Sequence, residues 1–227
     1  MEWKEIGLRS DFFVLEYQAK GYARTNCCAI GTKQGFLVLS PASDVTEAHV
    51  AFLEKRSKIL ALLPPHPGHT LGIGDWVKLR PTVPIYAAPN AIARLEKVCK
   101  LKVNPISQLK LEDLDVNISL APGLNETTLF IESRKGDRPV VYVDELLEDL
   151  DRYPGPIVLR PLMHLLGKKP GFQVNRGFIR FFVKDKQLLA SRILELISEN
   201  PHVVFAHGPV RSSLEDLARV RELLESV

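Results

Sequence analysis

Ile59-Leu60-Ala61-Leu62-Leu63-Pro64-Pro65-His66-Pro67-Gly68-His69-Thr70-Leu71-Gly72 is the stretch on which the fold turns. Five apolar residues followed by a proline pair read as a buried strand that stops abruptly, because proline has no N–H to give a sheet. The segment His66 to Trp76 is rich in loop-forming residues. Two histidines therefore stand on a strand-to-helix corner.

Outward from this corner, both halves of the chain alternate between strands and strand-helix units. Upstream, Phe12 to Ala19, Cys27 to Ile30 and Phe36 to Leu39 are short apolar runs of hairpin character. Asp44 is placed to cap a helix on which Val45, Ala48, Phe52 and Leu53 recur at helical spacing. Downstream come a strand at Ile85 to Ala87 and a helix from Asn90 to Lys100, with Ile92, Leu95 and Val98 on its core face.

The second half repeats the pattern. Strands are expected at Val116 to Leu120, Thr127 to Glu132 and Val140 to Val143, the last running into Asp144. A Pro/Gly-punctuated region, Pro154 to Gly171, leads to a helix at Leu188 to Ile197, a final strand at Val203 to Ala206 and a closing helix at Ser212 to Glu225. Ser212 with Glu215 matches a capping box. The pattern predicts two mixed sheets packed face to face with helices outside, an α/β/β/α sandwich formed as one domain over residues 1–227.

Composition removes several function classes. Lys and Arg number 30 against 27 Asp and Glu, a net charge of +3, which is far from the concentrated positive field of a nucleic-acid binder. No apolar run is long enough to cross a bilayer, and the acidic start Met1-Glu2-Trp3-Lys4-Glu5 does not read as a signal peptide. Cys27 and Cys28 are neighbours that could bridge only with strain, so reduced thiols in a cytoplasmic protein are expected.

The loops carry a resemblance. Pro64-Pro65-His66-Pro67-Gly68-His69, Ala121-Pro122-Gly123-Leu124-Asn125-Glu126-Thr127, Tyr142-Val143-Asp144 and Phe205-Ala206-His207-Gly208-Pro209 fall where the metallo-β-lactamase superfamily places its metal-binding loops. The chain resembles a degenerate, uncharacterised branch of that superfamily, with the Gly74-Asp75-Trp76 turn and the run from Gly177-Phe178 as further points of likeness. Pro64, Gly68 and Leu124 stand where the superfamily has two histidines and an aspartate.

The resemblance implies a damaged metal centre. Of the first site's three histidines only His66 remains, while His69, His207 and the bridging Asp144 remain of the second. Two imidazoles and a carboxylate, with His66 in support, form a set able to hold one zinc or iron and leave a position open for water. Two readings follow. One is a protein without two-metal chemistry that uses the old cleft to bind a small molecule or a protein. The other is a single-metal hydrolase of an ester, amide or phosphoester using His69, Asp144 and His207.

Other residues read blandly. His49, His164 and His202 are expected to serve as hydrogen-bonding residues, and Asp75 and Glu126 as a helix start and a solvated loop. Lys168, Lys169, Arg176, Arg180, Lys184 and Lys186 read as a solvated face. The apolar run Phe178, Ile179, Phe181, Phe182 and Val183 must be covered, as a lid over the cleft or a homodimer contact.

Overall fold

A computed structural model describes residues 1–8, 10–18, 24–153, 156–165 and 168–225. The first sheet has strands β1 (Trp3–Glu5), β2 (Phe12–Gln18), β3 (Arg24–Thr32), β4 (Gly35–Leu39) and β5 (Ile59–Leu63), in that spatial order. All neighbours are antiparallel except β4 and β5. That crossover carries helix α1 (Glu47–Glu54). After β5 come α2 (Ile73–Leu79), a short parallel pair β6 (Tyr86–Ala87) and β7 (Asn104–Pro105), and between them α3 (Ile92–Cys99).

The second sheet comprises β8 (Val116–Leu120), β9 (Leu129–Ser133), β10 (Val140–Tyr142) and a later strand pairing in parallel with β10. Between them lie β11 (Leu147–Leu150), α4 (Arg160–Leu165) and β12 (Gly171–Val174), then α5 (Arg176–Phe182) and α6 (Lys186–Ile197). The late strand is β13 (His202–Val204), so the order is β13-β10-β9-β8, and α7 (Leu214–Glu225) closes the described chain.

Side-chain alternation along the strands builds the layers. On β2, Phe13 and Leu15 join a cluster with Val50, Leu53, Trp76 and Leu95 from α1, α2 and α3. Phe12 and Val14, one residue out of phase, face Tyr142, Ile131, Val140 and Val204 of the other sheet. Val141 and Val203, on the far side of that sheet, pack against Ile193, Ile197, Leu217 and Val220 of α6 and α7. Three apolar seams thus separate four layers, the α/β/β/α sandwich expected from the sequence. Cys27 and Cys28 obey the same alternation, Cys27 in the outer seam and Cys28 between the sheets, so their thiols leave opposite faces.

Several local expectations shift. Asp44 does not cap α1; it adopts a left-handed φ of 57° before Thr46 takes the cap, paired with His49 in a capping box. Residues 74–76 are helical, since the turn ends at Gly72, whose hydrogen lies against the carbonyl of Pro41 where a Cβ would come within 2.1 Å. The α7 capping pair is Ser213 with Asp216, one residue beyond Ser212 and Glu215. Ser212 is engaged instead by Nδ1 of His202 at 2.8 Å. Residues 19, 154, 155, 166 and 167 of the expected strand and Pro/Gly-punctuated region lie outside the described residues.

Candidate functional site

Parallel pairing sets the site. Strands β4 and β5 run together, as do β10 and β13, and the residues that follow them meet at one rim. Ser40 follows β4, the His66 to His69 loop follows β5, Asp144 and Glu145 follow β10, and His207 follows β13. Ser40 and Asp144 both adopt left-handed backbone, with φ of 51° and 55°, which turns each strand end sharply.

The His207 loop is tied to the first sheet by one side chain. Asn26, buried on β3, donates through Nδ2 to the carbonyls of Phe205 and Gly208 at 2.8 and 2.7 Å, and its N–H donates to Ala206 O at 2.8 Å. Gly208 is required by this arrangement, because its φ is 116° and a Cβ there would stand 2.6 Å from the Asp149 carbonyl.

His69, Asp144 and His207 are brought together. Nε2 of His69 lies 3.5 Å from Asp144 Oδ1, and the His69 and His207 rings are 6.3 Å apart. Both histidines are also anchored at Nδ1, His69 to Ser40 Oγ at 2.7 Å and His207 to Thr25 Oγ1 at 3.2 Å. Asp144 is fully buried and accepts at Oδ1 from the Tyr142 hydroxyl at 3.1 Å.

His66 shares the cleft but points to different company. Its Nδ1 accepts from the Gly68 N–H at 3.2 Å, which places a proton on Nε2 of the neutral ring. The ring stands edgewise to Phe182 and Phe178, with centroids 5.0 and 5.3 Å away. Burial is the main reason its pKa falls below the usual imidazole value, against the pull of Asp144 and Glu145. It is a neutral wall residue.

The sequence reading missed Glu145. Its Oε1 lies 3.2 Å from His69 Nε2 and 3.9 Å from His207 Nε2, standing between the two imidazoles. Burial favours its neutral form, but His207 and His69 outweigh that and hold the carboxyl well below its ordinary range. Burial likewise opposes a charge on His69, yet Asp144 and Glu145 raise its pKa overall. Asp144 goes the other way: burial raises it, and Glu145 adds to the shift despite the opposing imidazoles. The rim therefore favours a His69–Glu145 ion pair beside a carboxyl biased toward its protonated form.

The substituted positions are absorbed into the structure. Leu124 is 1% exposed and packs with Phe130, Phe178 and Leu189 in the seam beneath α5 and α6. Gly68 lies against His66, where a Cβ would sit 3.2 Å from Nδ1. Asp75 is occupied by the Asp44 N–H and the Lys78 ammonium, each at 3.0 Å. His49, His164 and His202 lie elsewhere and bond Thr46, Tyr153 and Ser212. Lys168 departs from the expected solvated face, for its ammonium pairs with the fully buried Glu148 at 3.0 Å.

Above the rim, α5 is held down by buried Phe178 and Ile179 and carries Phe182 over His66, while Phe181 is 69% exposed. The resulting cleft has a volume of about 250 Å³, with Pro41, Leu71 and Phe182 as apolar walls and Ser40, His69, Arg94 and His207 among its polar ones.

In this structure the donors are paired with one another instead of gathered around a common point. Among the described residues, no three His, Cys, Asp or Glu side chains form a group able to hold an ion. Glu145 engages His69, and Nδ1 of His66 is taken up by the Gly68 N–H. Two atoms of the site stand apart: Asp144 Oδ2 and His66 Nε2 are both buried without a hydrogen-bond partner among the described residues.

Comparison with solved structures agrees with the layered core. The chain superposes along its whole length on DIM-1 metallo-β-lactamase, with a TM-score of 0.65 and 16% identity over 98% of that chain. The fold is that of the metallo-β-lactamases. A metallo-β-lactamase from Pontibacter korlensis matches with a TM-score of 0.64 and 14% identity, covering 100% of this chain and 99% of that one. The flavodiiron core of Flv1 from Synechocystis matches at 0.62 and 14%, with 99% of this chain on 61% of that one. No family model and no curated protein matches the sequence. Among the described residues, no helix of this metallo-β-lactamase-fold chain is long and apolar enough to cross a membrane.

Proposed function

We propose that this chain uses the cleft inherited with the metallo-β-lactamase fold to bind a small ligand, without two-metal hydrolysis. The observation that carries the reading is Glu145, whose carboxylate lies 3.2 Å from His69 Nε2 and supplies the negative charge and hydrogen bond that hold the ring. Pro64, Gly68 and Leu124 support it, since none has a side chain able to ligate. What remains is a preformed pocket with apolar walls and a few fixed polar groups, the usual makeup of a small-molecule site.

A second reading, a single zinc or iron held by His69, Asp144 and His207 in a hydrolase, is favoured by one observation, the unpartnered Oδ2 of Asp144. Metal content separates the two. Protein purified without chelator is expected to carry far less than one metal ion per chain and to melt at the same temperature with EDTA or added zinc. About one zinc, iron or manganese per chain, lost in the His69→Ala/His207→Ala double variant, would overturn the binding reading. The binding reading also expects fragments screened by amide NMR to shift residues of the cleft, with Ser40, His69 and Leu71 among them.

A further inference from the structure

Arg94 lies on α3, whose Leu95 is fully buried, and the next residue back along the helix reaches the mouth of the cleft. Its guanidinium has no ion-pair or hydrogen-bond partner among the described residues. Three other arginines, Arg80, Arg134 and Arg211, each hold two carboxylates, whereas Arg94 lines the cleft with its charge unpaired. The acid inside the cleft, Glu145, is engaged with His69 and His207. Arg94 is thus a permanent positive charge, uncommitted, beside an apolar wall of Pro41, Leu71 and Phe182.

Resting on the reading of the cleft as a ligand site, we propose that Arg94 anchors the carboxylate of a small organic acid whose apolar body lies against Leu71 and Phe182. A guanidinium fork matches the two oxygens of a carboxylate. A phosphate dianion is the poorer match, because Arg94 is the one cation of the described lining not already engaged by a carboxylate, while Glu145 places negative charge deeper in the same space. Size agrees: about 250 Å³ lies below the range of roughly 300–1,000 Å³ typical of drug-sized ligands. Leu71 is 61% exposed and Phe182 40% exposed, so both have apolar surface to cover.

The test uses the full chain, isotopically labelled, titrated with benzoate and hexanoate, with benzamide, hexanol and phenyl phosphate for comparison. Benzoate or hexanoate is expected to shift amides at Ser40, Leu71 and Phe182 saturably, with the uncharged analogue at least about tenfold weaker. Arg94→Gln is expected to weaken the acid about tenfold and leave both the analogue's affinity and the melting temperature unchanged. Arg94→Lys retains part of the binding, since it keeps the charge and loses the fork. Equal binding of acid and uncharged analogue, or undiminished acid binding by Arg94→Gln, overturns the role of Arg94 and leaves the cleft reading standing. Tighter binding of phenyl phosphate than benzoate overturns the carboxylate assignment. If no probe shifts any amide of the cleft, both readings fall.

Discussion

Glu145 Oε1 lies 3.2 Å from His69 Nε2, in a rim where the side chains are 22% and 7% exposed. The two groups stabilise each other's charged forms, and the consequence is a window in pH. His69 has a raised folded pKa, so its contribution is complete below the unfolded value near 6.5 and is lost as pH climbs through the folded value. Glu145 has a lowered folded pKa, so its contribution is present above the unfolded value near 4.5 and is lost as pH falls through the folded value.

Glu145→Gln is therefore expected to remove about 1–2 kcal/mol at pH 6, less at pH 8, and to lower the pKa of His69. Urea denaturation of chelator-treated protein at both pH values, with NMR titration of the His69 ring, measures this. An unchanged His69 titration would show that the carboxylate does not govern the ring.

Leu124→His restores the residue type that the superfamily resemblance places at this position. The side chain is buried among Phe130, Phe178 and Leu189, so an imidazole there loses apolar burial and gains an unpaired polar atom. A loss of about 2–5 kcal/mol is expected, with no gain in metal content. Melting curves and metal analysis of the variant decide it, and stoichiometric zinc with retained stability would contradict the account.

How much of this could be read from the chain differs by level. The layers were legible because alternation is a local property: Phe12 and Val14 against Phe13 and Leu15 can be sorted by counting in twos. The meeting of His69, Asp144 and His207 was legible only through the family likeness, since residues this far apart come together by topology. Glu145 was not legible, although it sits beside Asp144. In a regular strand neighbouring side chains leave opposite faces, and both carboxylates reach His69 because Asp144 is left-handed, with φ of 55°. Arg94 was hidden for a related reason. Its helix reads as an apolar face and a solvated one, and nothing local says that the solvated side looks into a cleft.

Tyr142→Phe removes a buried hydroxyl that donates to Asp144 Oδ1 at 3.1 Å. Asp144 Oδ2 has no partner among the described residues, so the variant leaves a fully buried carboxyl poorer still in donors. A loss of about 1–3 kcal/mol is expected. Because the Tyr142 bond lowers the pKa of Asp144, that pKa rises further in the variant. The extra cost should thus be larger at pH 8 than at pH 5, where the protonated carboxyl needs fewer donors. Equal losses at the two pH values would mean that the tyrosine acts through packing alone.

Asn26→Ala tests what holds the two halves of the rim together. Its amide serves two carbonyls, Phe205 O and Gly208 O, on either side of His207, from a strand of the opposite sheet. Alanine leaves both acceptors unpaired by this residue while the backbone bond from Asn26 N to Ala206 O survives. The expected loss is about 2–4 kcal/mol, and the motion it releases should be confined to the loop after β13. Amide exchange at Ala206, His207 and Gly208 should quicken in the variant, while Ser40 and His69, held by β4, β5 and their own hydrogen bond at 2.7 Å, stay protected. If exchange quickens equally at Ser40 and His69, the two sheets are coupled through the rim as a whole, and Asn26 is one tie among several.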